Sequence, residues 1–204
     1  IPARDIAKLI GICTHGSAEP GILFLERANK FSNTWYFNPL ISTNPCGEQF
    51  LAKWSVCNLG HINIAEHLYF DEVTGFYEMD FNSLEKTTRV LTNALDNVID
   101  ATPYYFEENR KNQQGERRLG LGTMGIDETL KLMGLDYGEE SGREMAERIF
   151  KEITLTAYDE SVEIAKKKGP FTNFEADKFL QSGFMKFITK EAPELAFKIA
   201  TYGI

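Results

Sequence analysis

Residues 141–168 carry an unbroken helical pattern that stops at Gly169-Pro170. Proline has no amide hydrogen with which to continue a helix, and Lys166, Lys167 and Lys168 complement the negative end of the helix dipole just before the stop. Other helical stripes flank it. Ile6, Leu9, Ile10 and Cys13 recur at three- and four-residue steps over residues 3–13, until Gly16 to Gly21 breaks the pattern. Leu84, Val90, Leu91, Leu95, Val98 and Ile99 keep a stripe up to Ala101, with Asn82 or Ser83 as the expected N-cap and Pro103 as the stop. Helical spacing returns over 127–133 and over part of 184–200. Strand character appears in 57–64, around Leu59, Ile62 and Ile64, in the glycine-rich run 119–125, and in 200–204. The mixture predicts an α/β protein.

Between these elements, Asp71-Glu72-Val73-Thr74-Gly75 reads as a turn between aromatic segments. Residues 21–25 form a short apolar run, 26–38 are polar with Trp35, Tyr36 and Phe37 among them, 107–118 are strongly polar, and 171–182 are loop-like. Of the 204 residues 43% are apolar, which marks a globular chain. The net charge of −8 leaves no surplus of cations to neutralise an extended phosphate backbone, so nucleic acid is not an expected partner. A single nucleotide remains compatible, because one phosphate group needs only a few amides or a helix N-terminus. No stretch approaches the roughly 18 consecutive apolar residues that span a bilayer. A cytoplasmic location is expected. Three cysteines without a close CxxC pair do not build a disulfide framework, so a cysteine with a role is expected to be reactive. The start at Ile1 and the unpunctuated end suggest a piece of a longer protein.

Asn44-x-Cys46-x-Glu48 places a thiol between a carboxamide and a carboxylate. Pro45 and Gly47 flank Cys46, which disfavours a helix or central strand and puts the thiol on a loop. In an extended loop, side chains at i, i+2 and i+4 point the same way and can converge on one small polar ligand. The residue types suit radical chemistry on a hydroxyl-bearing substrate: a thiol to exchange a hydrogen atom, a carboxylate as base, an amide to orient hydroxyls. The same spacing also fits a turn with an incidental cysteine.

The longer string decides between these. Asn44-Pro45-Cys46-Gly47-Glu48-Gln49, then Cys57-Asn58-Leu59-Gly60 and Ile62-Asn63, resembles the catalytic core of the ribonucleotide reductases. Arg117-Arg118-Leu119-Gly120-Leu121-Gly122 with Met124-Gly125 is similar to that family's RRLGLG-type segment. Lys168-Gly169-Pro170-Phe171 with Asn173-Phe174 fits too, and Glu19-Pro20-Gly21-Ile22 with Phe24 resembles its DPGI-x-F run, with Glu in place of Asp. Cys57 follows Cys46 by eleven positions, a close spacing that, with the NPCGE wording, resembles the class II, adenosylcobalamin-dependent branch. The resemblance spans nearly the whole chain.

What it implies is a fragment, residues 1–204, of the ten-stranded α/β catalytic barrel, with Cys46 on a finger loop at its centre. Cys46 would be the thiyl-radical cysteine acting on the ribose 3′ carbon, Glu48 the base for the 3′ hydroxyl, and Asn44 the hydrogen-bonding group for the ribose hydroxyls. Asn44 and Glu48 are thus substrate-binding as well as catalytic. Cys57 would be half of the dithiol that supplies two electrons as the 2′ hydroxyl leaves as water. Its partner thiol, the allosteric region and a C-terminal cysteine pair lie outside these residues in the family. The implied cofactor is adenosylcobalamin, with no residue here assigned to hold it. The implied partners are a ribonucleoside di- or triphosphate, a thioredoxin-type reductant acting through the C-terminal cysteines, and a second subunit in a homodimer. Two rivals remain. A class I large subunit would take its radical from a partner subunit, and a non-catalytic assembly piece would be complemented by another chain.

Several other features have plainer readings. Cys13 falls on an apolar helical stripe and reads as a small core residue. Gly120-Leu121-Gly122-Thr123-Met124-Gly125 satisfies GxGxxG, but its glycines lie within an apolar strand-like run, so close strand packing is expected rather than a dinucleotide site. His61 and His67 match no standard metal spacing, and no metal site is expected. The three lysines at 166–168 read as a solvated helix end, and Trp35, Tyr36, Phe37, Tyr104, Tyr105 and Phe106 as core or interface.

Overall fold

The computed structural model describes residues 1–56 and 58–204; Cys57, expected to be a reducing thiol, lies outside the described residues. The centre of the molecule is a parallel pair of strands, β3 (Leu59–Asn63) and β6 (Gly120–Met124), in register from Leu59 opposite Gly120 to Asn63 opposite Met124. Parallel strands cannot be joined by a tight turn, so the chain makes a long crossover between them. It contains a 3-10 turn (Ile64–His67), the antiparallel hairpin β4 (Leu68–Asp71) and β5 (Phe76–Met79), and helices α3 (Phe81–Ala101) and α4 (Glu107–Glu116). A second long helix, α6 (Glu140–Lys168), packs along α3, and α5 (Ile126–Leu132) connects β6 to it. Ile62, Ile64, Met79, Leu84, Ile149 and Ile153 form the apolar core beneath the strand pair.

The glycines of 119–125 are explained by this pairing. A Cβ on Gly122 would come within 2.6 Å of the His61 ring, and one on Gly120 would overlap Leu59. Both positions sit inside β6 and let it approach β3, as the strand reading predicts and a dinucleotide turn does not.

A second core gathers Val162, Phe171, Phe179, Met185, Ile188, Leu195 and Ile199, contributed by α6, the loop that follows it, a short α7 (Ala176–Phe179), α8 (Gly183–Glu191) and α9 (Pro193–Tyr202). Toward the start of the chain lie α1 (Ala3–Ser17), α2 (Leu25–Phe31) and the antiparallel hairpin β1 (Leu40–Thr43) with β2 (Phe50–Ala52). The class is α/β as expected. Among the described residues the strands form three separate two-stranded sheets and do not close a barrel.

Four expectations change. The N-cap of α3 is Asp80, whose carboxylate accepts from the Ser83 amide at 2.9 Å, so Ser83 lies inside the helix. Residues 200–204 are not a strand, because α9 starts on Pro193 and its buried stripe Leu195, Ala196 and Ile199 carries the helix on to Tyr202. The polar stretch 107–118 contains a helix, α4, whose contacts are hydrogen bonds more than apolar packing. Cys13 is exposed, since nothing among the described residues covers the apolar stripe of α1. The lysines at 166–168 form an exposed helix end as expected, and Lys168 Nζ also reaches Asp96 at 2.7 Å and Asp100 at 2.9 Å.

Candidate active site at the thiol hairpin

Asn44, Cys46 and Glu48 lie on the loop that joins β1 to β2. The loop is a tight turn, not the extended segment whose alternation would align the three side chains. The Gly47 amide donates to the Asn44 carbonyl at 3.1 Å, and Gly47 takes a φ of +83°, open to a residue without Cβ. Asn44 fastens the loop from inside. Its backbone amide donates to the Gln49 carbonyl and its Oδ1 accepts from the Gln49 amide, each at 3.1 Å. Its Nδ2 donates to the Glu48 carboxylate. The turn therefore joins carboxamide and carboxylate by folding back on itself. Asn44 is buried, and Cys46 and Glu48 are exposed.

Such an arrangement presents a free thiol beside a carboxylate whose orientation is set by an amide. The carboxylate can take a proton from a hydroxyl placed near it, and the thiol can exchange a hydrogen atom with a neighbouring carbon.

The roots of the hairpin are held by side chains from elsewhere. Asn29 of α2 imitates a strand, donating to the Leu40 carbonyl and accepting from the Leu40 amide, both at 2.9 Å. On the other side, Asn112 Nδ2 donates to the Lys53 carbonyl at 2.8 Å and Asn109 Nδ2 to the Trp54 carbonyl at 2.9 Å. Trp54 holds a left-handed φ of +63° there, with its ring 5.9 Å from that of Phe106. Glu116, buried, accepts from Ser55 Oγ at 2.9 Å and from Asn38 Nδ2 at 2.8 Å. Arg118 completes its shell through Nε and Nη2, both at 3.1 Å. Sequence reading missed Asn29, Asn38, Asn109, Asn112 and Glu116. A signal for the last three was present: they stand at i, i+3 and i+7, one face of a helix, inside a stretch with almost no apolar residues.

Asn58, next to the undescribed Cys57, is pinned to the central strands. Its Nδ2 donates to the Leu95 carbonyl at 2.6 Å and its own carbonyl accepts from the Gly120 amide at 2.8 Å. Arg117 binds Asp96 and Asp100, each at 2.7 Å, and so ties the start of β6 to α3. Arg117 and then Lys168 hold the Asp100 carboxyl well below the usual carboxylate range. His61 is exposed against Gly122, whereas His67 is buried with Nδ1 2.8 Å from Ser83 Oγ, and burial pushes its pKa down. Among the described residues no group of three or more His, Cys, Asp or Glu side chains is placed to hold a metal ion, and no helix is long and apolar enough to cross a membrane.

A cavity of about 430 Å³ is bounded by Thr34, Glu116, Arg118, Leu121, Tyr158 and Phe184. Burial pushes the Tyr158 phenol up to about 12, although Asn33 donates to it at 2.7 Å. None of Asn44, Cys46 and Glu48 lines this space.

The features together are those of an α/β domain with an exposed thiol and an amide-held carboxylate on one hairpin loop and a parallel strand pair elsewhere in the fold. The particular family follows from comparison: a family model described as "Ribonucleotide reductase, barrel domain" matches residues 1–204, and the chain belongs to that family. It is 33% identical over 183 residues to the "Vitamin B12-dependent ribonucleoside-diphosphate reductase" of Mycobacterium tuberculosis (strain CDC 1551 / Oshkosh), covering 90% of this chain and 26% of that protein. The protein of the same name from Thermoplasma acidophilum is 31% identical, with 90% and 23% covered. The "Ribonucleoside-diphosphate reductase large chain" of Encephalitozoon cuniculi is 27% identical, with 86% and 22% covered. The chain thus spans about a quarter of the length of these relatives.

Proposed function

We propose that this chain supplies the radical-thiol part of a reductase that converts ribonucleotides, ribonucleoside diphosphates in the first instance, to 2′-deoxyribonucleotides. The observation that carries the reading is the Asn44–Glu48 hydrogen bond on a hairpin that leaves Cys46 exposed between them. In this reading the Cys46 thiyl radical abstracts hydrogen from the ribose 3′ carbon, and Glu48 takes the proton of the 3′ hydroxyl. Asn44 holds the ribose hydroxyls and the carboxylate in one geometry. The 2′ hydroxyl leaves as water, and two electrons come from a dithiol that closes to a disulfide, with Cys57 one of its sulfurs and the other outside these residues. The hydrogen abstracted from the 3′ carbon is returned by Cys46, so the thiyl radical is regenerated.

Adenosylcobalamin, when bound, supplies a carbon-centred radical by homolysis of its cobalt–carbon bond. The exposed Cys46 thiol is the group of this chain that fits such a radical source; no residue is assigned to hold the corrin. The class II reading is favoured by the names of the two bacterial and archaeal relatives above and by the short Cys46 to Cys57 spacing. A thioredoxin-type reductant, a homodimer and a cytoplasmic setting complete the proposal.

The test is an assay of the intact reductase that carries these residues. Deoxynucleotide formation is expected to require adenosylcobalamin and to vanish with Cys46→Ser. Turnover that survives Cys46→Ser overturns the reading, and turnover without cobalamin moves the protein to the class I alternative. The 204-residue chain alone is expected to show no turnover.

A further inference from the structure

The thiol hairpin has few apolar contacts of its own to fix where it stands, and both of its roots lead to one buried carboxylate. Asn38, two residues before β1, and Ser55, three residues after β2, each donate to Glu116, one to each oxygen. Arg118 donates to both oxygens as well, so four hydrogen bonds fill the acceptor sites of a carboxylate whose side chain has 0% exposure. The same arginine reaches Thr34 Oγ1 at 3.0 Å, on the segment that leads into β1. Asn109 and Asn112, on the Glu116 face of α4, hold the carbonyls of Trp54 and Lys53. A carboxylate costs several kcal/mol to bury without partners, so a site of this kind is held only with all its donors in place. The donors here come from both ends of the hairpin.

We propose that Glu116, with Asn109 and Asn112, is a positioning group for the reaction. It joins the two roots of the β1–β2 hairpin and so sets the place of Asn44, Cys46 and Glu48 relative to the central strands. It acts through Asn38 and Ser55, the groups it binds at the two roots. This rests on the proposed role of the hairpin, and the experiment separates the two. A shift of about 1 Å in a reacting group can cost on the order of a hundredfold in rate, so loosening one root is expected to lower turnover without altering substrate binding.

In the intact reductase, Ser55→Ala and Glu116→Gln are each expected to lower kcat about tenfold with KM within about twofold, and Ser55→Thr, which keeps the hydroxyl, to restore it. Hydrogen exchange followed by mass spectrometry is expected to show faster exchange across 40–52 in both variants, with 59–63 and 120–124 unchanged. If Cys46→Ser abolishes turnover while Ser55→Ala and Glu116→Gln leave kcat within about twofold of the parent, the positioning role is wrong and the thiol reading stands. If Cys46→Ser retains turnover, the thiol reading fails, and the positioning role in this reaction falls with it. Unchanged exchange across 40–52 in both variants overturns the structural link itself. Ser55→Ala removes a single donor and leaves the carboxylate with its Arg118 and Asn38 bonds, which keeps the test valid should Glu116→Gln fail to fold.

Discussion

The two strand pairs nearest the chemistry are held by opposite means. β3 and β6 rest on an apolar core in which Ile62 is 2% exposed and Ile64, Leu84 and Ile149 are fully buried, and their glycines allow close approach. The β1–β2 hairpin buries only Leu40 and Ala52 among its strand residues, and is located by hydrogen bonds donated by Asn29, Asn109 and Asn112 and accepted by Glu116. Apolar packing is cumulative and non-directional, so the central pair tolerates small changes nearby. A hairpin fixed by a few directional bonds is sensitive to each of them. In the proposed function the chemistry falls on the second kind of element, where each directional bond bears on the placement of the loop.

The largest expected effect is Glu116→Ala. It strands the Arg118 charge and the Asn38 and Ser55 donors together, and a loss of about 4 kcal/mol is expected in urea unfolding. If the loss is under about 1 kcal/mol, the hairpin has another anchor and the contrast between the two pairs collapses. Ile62→Ala is the matching test of the central pair, with an expected cost of about 3 kcal/mol. It should lower global stability and raise exchange throughout, whereas Glu116→Ala should also expose the hairpin selectively. Asp80→Ala removes the N-cap of α3 within the crossover and is expected to cost about 1 kcal/mol, read as a lower thermal midpoint.

The smallest effect is a pH dependence. Because Arg117 and Lys168 depress the folded-state pKa of Asp100, its ion pairs stabilise the fold above the ordinary carboxylate pKa of about 4, and that contribution is lost as pH falls from there toward the folded pKa. Asp100→Asn should therefore be slightly less stable than the parent at pH 7 and should show a shallower decline in urea midpoint toward pH 3. The carboxylate is 46% exposed, so screening keeps the difference small, and an identical acid limb in the two proteins would remove Asp100 from the account.

Much of the fold was legible because periodicity is a local property. The stripe from Leu84 to Ile99, the stop at Gly169-Pro170 and the glycine run in β6 each state their element within a few residues. Asn44, Cys46 and Glu48 were legible through their wording, and the structure puts them on one loop; Asn44 and Glu48 meet through a turn closed by Asn44 rather than through strand alternation. Where reading failed, a distant residue decided the outcome. Residues 107–118 hid a helix because its organising contacts are polar, and the end of α9 looked like a strand because Thr201, Tyr202 and Ile204 favour one until the packing of Ile199 is known.

The sequence by itself thus determined the most periodic elements and the family, and it named the residues of the thiol loop. All three are written in residue type and short spacing. Only the tertiary structure decided how that loop is held, because the groups that meet at Glu116 lie 78 and 61 positions away along the chain. A buried carboxylate must find its donors wherever folding brings them, and no periodic pattern announces which asparagine or serine those will be.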